Sequence, residues 1–273
     1  MIARTAHTDG VEPVGRHVRQ QSDHQRPAAV SADTPAQRHE SRHGGKDLTG
    51  VVNDVAMSRP PVSAPARVDW VPDAVITACG SALKQIDGPQ VASLGVTSAV
   101  RGEGRTTVAA GAALVQRDEY GRRTLLVELD LERPSFATRF GLGDGPGVAE
   151  LFRREASAPA CVHWIDDHLG VVAAGDPRGQ QARILAGLLD TGVMEELASS
   201  CDVLIADLPP LPPSGLGDRV ADAFETVVLV IEAGATPMPV VSRAAEALER
   251  PPAVILNRTR SAVPRWLRRR IGG

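Results

Sequence analysis

One stretch of this chain, residues 91–130, constrains the fold more than any other. It opens with an apolar run over 91–96, which predicts a buried strand, and continues into a turn that contains Gly102 and Gly104. An Ala-rich segment over 108–116 predicts a helix, and a second apolar run over 124–129 predicts another strand. This succession of strand, glycine turn, helix and strand is the layout of a phosphate-binding α/β unit.

The turn has the chemistry that an anion site needs. Gly102 and Gly104 allow backbone N–H groups to point at an anion without a Cβ in the way. The helix that begins at Thr106 and Thr107 carries a partial positive charge at its N-terminus, and the Thr106 hydroxyl is well placed for Mg²⁺. The alternative is an ordinary turn between strand and helix, which would make the acids that follow a coincidence.

Acidic residues stand at the ends of two predicted strands. Glu128 and Asp130 are two positions apart, so they are expected to share a face. Carboxylates beside a phosphate loop can hold Mg²⁺, and one of them can orient or deprotonate a nucleophile. Asp207 ends another buried run, 203–206, and is a third candidate for the metal or its water shell. We therefore predict Thr106, Asp130 and Asp207 as metal ligands, with polar strand ends or helix caps as the alternative.

The turn departs from the strict phosphate-loop pattern, G-x-x-x-x-G-K-[ST]. Ala99 stands where the first Gly would be, and Arg105 stands in place of the Lys. A Lys presents a compact ammonium, whereas Arg presents a larger planar fork. Arg105 can still neutralise phosphate charge, but the sequence leaves open whether it is placed for catalysis.

Three segments together resemble a known family. Residues 98–107, 125–134 and 203–210 are similar to motifs of the bacterial tyrosine kinases of capsule and exopolysaccharide assembly, which have the forms G-E-G-K-[ST], D-x-D-x-x-R-P and D-x-P-P. The likeness covers about residues 85–260. It implies a P-loop ATPase domain with ATP and Mg²⁺ as cofactors.

The resemblance also assigns roles to individual residues. It places Glu128 where the base of the family stands and Asp130 at the metal side, with Arg105 as the third catalytic candidate. Glu in place of Asp moves the carboxylate, and a misplacement of ~1 Å can cost about a hundredfold in rate. An Asn after the last strand meets the purine in related folds, although a turn-forming Asn is equally expected at that point. The predicted nucleotide contacts are Gly102, Glu103, Gly104, Arg105, Thr106, Thr107 and Asn257.

Alternating apolar runs and helical segments extend to residue 256 and predict a doubly wound, mostly parallel α/β sheet with helices on both faces. Residues 66–263 form the predicted ATPase domain. Residues 1–65 are rich in His, Arg, Ser, Pro and Gly and predict a disordered tail, for which Met57 is an alternative start. Residues 264–273 form a basic tail that could equally meet anionic lipid or be solvated.

Composition excludes several classes of protein. A net charge of −3 gives no reason to expect a nucleic-acid partner, and no apolar run approaches the ~18 residues of a membrane span. Three widely spaced cysteines, Cys79, Cys161 and Cys201, predict buried thiols rather than disulfides or a zinc site. We therefore predict a cytoplasmic protein, or one peripheral at the inner face of the plasma membrane.

The resemblance implies a transmembrane partner, a polysaccharide co-polymerase or chain-length regulator that completes the ATP site. The helix predicted over 73–83 lacks the arginines by which such kinases assemble, so a homo-oligomer stays open. The family's C-terminal tyrosine cluster is also missing, because Tyr120 is the only tyrosine. Two alternatives remain. One is a catalytically impaired nucleotide-binding regulator of the same fold. The other is a nicotinamide-dependent oxidoreductase, which the absence of a third glycine at Thr107 disfavours.

Overall fold

The computed structural model describes residues 68–211 and 217–259. The predicted tails, 1–65 and 264–273, lie outside these residues, so the domain limits remain a prediction. The helices and strands of the described part are α1 (Asp73–Gln85), β1 (Ser93–Ser98), α2 (Arg105–Asp118), β2 (Thr124–Glu128), α3 (Phe136–Phe140), α4 (Val148–Phe152), α5 (Ala158–Cys161), β3 (His163–Trp164), β4 (Leu169–Val172), α6 (Gln181–Leu188), α7 (Val193–Ala198), β5 (Val203–Asp207), α8 (Gly217–Asp222), β6 (Thr226–Glu232), α9 (Met238–Glu246) and β7 (Ala253–Asn257).

The strands form one sheet in the order β3-β4-β2-β5-β1-β6-β7. Every neighbouring pair is parallel except β3 and β4, which are antiparallel. This confirms the predicted doubly wound, mostly parallel sheet. Because β5 lies between β1 and β2, the glycine turn after β1, the acids after β2 and Asp207 at the end of β5 meet at one edge of the sheet.

Apolar side chains cover both faces of the sheet, as continuous apolar strands require. In β2, Leu125 and Val127 belong to one core cluster and Leu126 belongs to the other. Helices α1 and α2 cover the second of these faces, and five of the eleven buried residues of α2 are Ala or Gly. An added Cβ at Gly111 would lie 3.1 Å from Cys79 Sγ. Gly111 therefore allows α2 to pack closely against α1.

Two short helices, α3 and α5, were not predicted from the sequence. Helix α3 has five residues, and no side chain at its N-cap position bonds to it. Instead, the carboxylate of Glu128 accepts hydrogen bonds from the backbone N–H groups of Ser135 and Phe136. Because this cap comes from the end of β2, the sequence around α3 contains no capping pattern that would have predicted the helix. No helix of the described residues is long and apolar enough to cross a membrane.

Candidate phosphate-binding site

The loop between β1 and α2 needs glycine at two positions. Gly102 and Gly104 both have φ +91°, a region that side chains with a Cβ rarely adopt. An added Cβ at Gly102 would meet nothing within 4 Å, so this part of the loop faces open space. An added Cβ at Gly104 would lie 2.1 Å from Nδ2 of Asn257. Gly104 therefore provides room for a side chain of β7 as well as a left-handed turn.

A buried carboxylate braces the loop from inside. Glu103 is 1 % exposed, and one of its oxygens accepts the backbone N–H of Val100 at 2.8 Å. The other oxygen accepts the N–H of Glu232 at 3.0 Å and the hydroxyl of Thr236. These bonds tie the loop to the end of β6 and the turn that follows it. The side chain of Glu103 is therefore engaged by the protein, and a ligand at this position would meet its backbone.

Asn257 supports the same loop. Its Nδ2 donates to the backbone carbonyl of Glu103 at 2.8 Å, and its Oδ1 accepts the N–H of Arg258 at 2.8 Å. The predicted contact of Asn257 with a purine has no support from these bonds and stays a prediction. What the structure gives instead is a brace between β7 and the glycine loop.

Arg105, Asp130 and Asp207 meet below the loop as a buried ion network. Nε of Arg105 lies 3.2 Å from Oδ1 of Asp207, and its Nη2 pairs with Oδ2 of Asp130. The hydroxyl of Thr106 donates to Oδ2 of Asp207 at 2.7 Å. The structure thus brings together the three predicted metal ligands, with the guanidinium of Arg105 between the two carboxylates.

Burial sets the charge state of Asp207, which is only 1 % exposed. The pKa of this carboxyl is raised to about 6. Removal from water raises it most, and the nearby Asp130 also raises it, while Arg105 and the Thr106 hydroxyl lower it. Two buried carboxylates share one buried guanidinium here.

Glu128 points elsewhere, contrary to the expectation that it shares a face with Asp130. Its carboxylate accepts the backbone N–H groups of Ser135 and Phe136 on one oxygen and that of Ala174 at 3.1 Å on the other. The physical reason is that β2 ends at Glu128, so the alternation of an extended chain does not continue to Asp130. Burial raises the pKa of Glu128, and these three bonds oppose that rise. In this arrangement Glu128 organises the backbone, and its predicted role as a base stays a prediction.

The donor atoms of the cluster are of the type that Mg²⁺ prefers, but their arrangement does not suit a divalent cation. Three of the four carboxylate oxygens of Asp130 and Asp207 are engaged by Arg105 or Thr106. The fourth, Oδ1 of Asp130, is buried without a hydrogen-bonding partner. A divalent cation could enter among these described residues only if Arg105 withdrew.

Sequence reasoning missed two participants in the network. Arg101 pairs with Glu132 and also lies 3.4 Å from Oδ2 of Asp130. Ser98 accepts Nη1 of Arg105 at 3.4 Å and donates to the carbonyl of Val100 at 2.7 Å. Arg101 stands in the glycine turn beside residues that were predicted to bind phosphate, so its position was the available signal. Ser98 is one hydroxyl among several in the segment and carries no distinguishing pattern.

The chain's single tyrosine lies outside this cluster. Tyr120 follows α2, at the end of that helix opposite the glycine loop, and its hydroxyl oxygen is buried. A buried hydroxyl cannot reach a phosphoryl donor without local opening of the structure. In this structure Tyr120 is therefore not an exposed acceptor hydroxyl.

Comparison with known proteins finds relatives among kinases and transport proteins of bacteria. The chain is 29 % identical over 160 residues to the tyrosine-protein kinase YwqD of Bacillus subtilis. This alignment covers 58 % of this chain and 67 % of YwqD. It is also 28 % identical over 160 residues to the succinoglycan biosynthesis transport protein ExoP of Rhizobium meliloti. This alignment covers 56 % of this chain and 20 % of ExoP. No family model matches the chain.

Solved structures agree with these relatives. The kinase domain of VpsO superposes with a TM-score of 0.60 at 27 % identity, covering 71 % of this chain and all of that domain. The cell division ATPase MinD of Pyrococcus furiosus superposes with a TM-score of 0.53 at 19 % identity over 66 % of this chain and 78 % of its own, a likeness of fold alone. This chain is therefore similar in sequence and in fold to bacterial tyrosine kinases, and it shares its fold with the cell division ATPase MinD.

Proposed function

We propose that the chain binds ATP on the loop between β1 and α2 and acts as a tyrosine-kinase-like protein in the synthesis or export of an exopolysaccharide. The observation that carries this proposal is the meeting of Asp130 and Asp207 with Arg105 and Thr106 directly below the glycine turn. Acids from two strand ends beside the start of a helix are the parts that phosphoryl-transfer sites of this fold use. The relatives named above give the proposal its biological setting.

Loop geometry supports phosphate binding at the residues predicted for it. Gly102 faces open space, and α2 begins at Arg105 with its first N–H groups available to an anion. In the proposed complex the backbone of 102–107 contacts the phosphates, with the Thr106 hydroxyl close to them. Mg²⁺ remains a prediction from the sequence. In the arrangement described here, Arg105 would have to move before Thr106, Asp130 and Asp207 could bind the ion.

The acceptor of a phosphoryl group is proposed to be a tyrosine on another protein. Tyr120, the only tyrosine of the chain, has a buried hydroxyl oxygen. We infer a membrane partner, of the chain-length regulator class, and a peripheral position at the inner face of the membrane. The relative ExoP is named as a transport protein and aligns over a fifth of its length, which leaves most of that protein without a counterpart in the aligned region.

Calorimetric titration with ATP tests the nucleotide site. We expect binding by the wild-type chain and weaker binding by Thr106→Ala and Asp207→Ala, because both lie directly below the phosphate loop. Thr106→Ser keeps the hydroxyl and is the control for the first variant. Asp202→Ala, just before the opposite end of β5, is the control for the second. Equal affinity in Thr106→Ala, Asp207→Ala and their controls would argue against this site, and absence of ATP binding by the wild type would refute the proposal.

Phosphoryl transfer is a separate question from binding. Incubation of the purified chain with ATP should leave no phosphotyrosine on the chain itself, whereas a tyrosine-containing acceptor should become labelled if the protein is an active kinase. The relatives do not specifically support the alternative that the chain is a catalytically impaired nucleotide-binding regulator of the same fold. They also give no support to a nicotinamide-dependent oxidoreductase.

A further inference from the structure

The cluster below the loop shows which cation its two carboxylates are built around. Asp130 and Asp207 are 4 % and 1 % exposed, and Arg105 itself is 8 % exposed. The guanidinium reaches both acids at once, with Nε on Asp207 and Nη2 on Asp130. A third nitrogen, Nη1, lies 3.4 Å from the hydroxyl of Ser98. Burying two carboxylates is costly unless a positive charge compensates them, and Arg105 supplies that charge.

We propose that Arg105 is the resident cation of this acid pair and that it takes the place a divalent metal ion would need. Mg²⁺ binds oxygen ligands at about 2.0–2.1 Å in a demanding octahedral geometry. It cannot reach Asp130 and Asp207 while the guanidinium lies between them and occupies an oxygen of each. The guanidinium and a divalent ion are therefore alternatives at one position, and the protein in its resting state holds the guanidinium.

The choice of Arg rather than Lys matters for this role. A Lys side chain carries one compact ammonium, whereas the planar guanidinium presents several N–H donors in a fixed fork. Only the fork can bond to Asp207, Asp130 and Ser98 from one position, as Nε, Nη2 and Nη1 do here. The inference concerns this chain's own residues and does not depend on whether nucleotide binds.

Mn²⁺ is a suitable probe, because its free aquo ion gives an electron paramagnetic resonance signal that disappears on binding. We expect the nucleotide-free wild-type chain to bind Mn²⁺ weakly, with little loss of signal at submillimolar concentrations. Arg105→Met removes the charge but keeps a long side chain, and it should strengthen Mn²⁺ binding on the order of tenfold or more, because two buried carboxylates then lack their cation. Asp130→Asn added to Arg105→Met should abolish that gain.

Arg101→Met is the matched control. Arg101 lies 3.4 Å from the same oxygen of Asp130, but it is about one-third exposed and its closer partner is Glu132. This variant should strengthen Mn²⁺ binding much less than Arg105→Met does, because Arg105 still occupies an oxygen of each acid. Tight Mn²⁺ binding by the wild type, or equal affinities in wild type and Arg105→Met, would overturn the proposal.

Folding of the variants is checked by circular dichroism before titration. If Arg105→Met does not fold, Arg105→Lys takes its place, since the ammonium cannot bridge both acids and a smaller gain in Mn²⁺ affinity is expected. No gain in the folded Lys variant would equally overturn the proposal. The ATP titration described above is independent of this experiment, so failure of the nucleotide site and failure of the resident-cation proposal give different results.

Discussion

Replacement of Gly104 by Ala is the sharpest test of how the glycine loop is built. The substitution forces a Cβ onto a residue with φ +91° and places it 2.1 Å from Nδ2 of Asn257. Gly102→Ala is a matched control, because Gly102 has the same φ of +91° and an added Cβ there would meet nothing within 4 Å. The two variants share the backbone strain and differ in the collision.

The expected losses in the free energy of unfolding follow from the backbone strain and from the collision with Asn257. A residue with a Cβ held in a strained region of φ costs about 1–3 kcal/mol, which both variants suffer. In Gly104→Ala the amide of Asn257 must also move away, which breaks its 2.8 Å bond to the carbonyl of Glu103. A hydrogen bond of this kind contributes about 0.5–1.5 kcal/mol net. Gly104→Ala should therefore lower the free energy of unfolding by about 1 kcal/mol more than Gly102→Ala.

Urea unfolding followed by circular dichroism measures the difference. A third background, Asn257→Ala, removes the collision partner, so the additional cost of Gly104→Ala should disappear in the double variant. Equal costs for Gly102→Ala and Gly104→Ala, or an additional cost that persists without Asn257, would refute the reasoning that Gly104 is required for space as well as for its backbone conformation.

Two further predictions concern the buried acids. Burial raises the pKa of Asp207 from an ordinary 3.8 to about 6, so the folded protein takes up a proton that the unfolded chain does not, and the contribution of Asp207 to stability falls as the pH rises from about 4 to about 6. Asp207→Asn should flatten this part of the pH–stability profile, by up to about 3 kcal/mol across the interval, and an unchanged slope would contradict the shift. Glu128→Gln should lower the free energy of unfolding by about 2 kcal/mol, because an amide cannot accept three backbone N–H bonds as the carboxylate does. Glu132→Gln, at an exposed acid, should have little effect in the same thermal or urea assay, and similar losses for both would argue against the bracing role.

The sheet could be predicted because its signals are local and strong. Each parallel strand is a short apolar run, and the strand, glycine turn and helix of 91–116 occupy contiguous residues. Asp130 and Asp207 were predicted to meet the loop because the C-terminal ends of parallel strands share one edge of a sheet. In the structure both acids contact Arg105, and Asp207 also contacts Thr106, while their role toward a ligand stays a prediction.

The directions of individual side chains could not be predicted, because they depend on partners that are distant in sequence. Glu128 turns towards amides at 135, 136 and 174, and Asn257 turns towards the carbonyl of Glu103. The bond between Ala174 and Glu128 and the bond between Asn257 and Glu103 join residues 46 and 154 positions apart, so no local pattern indicates them. The spacing rule that placed Glu128 and Asp130 on one face failed for a simpler reason, since the strand ends between them.

The insertion of β5 between β1 and β2 has a consequence for how this protein matures. Thr106 and Asp207 are separated by 101 positions, yet their side chains are in direct contact. A nascent chain that has emerged only as far as α7 contains the glycine loop but lacks the strand that joins β1 to β2. Non-local pairing of this kind forms slowly. We therefore expect anion binding at this loop only in chains that extend beyond residue 207 and in which β5 has paired with β1 and β2.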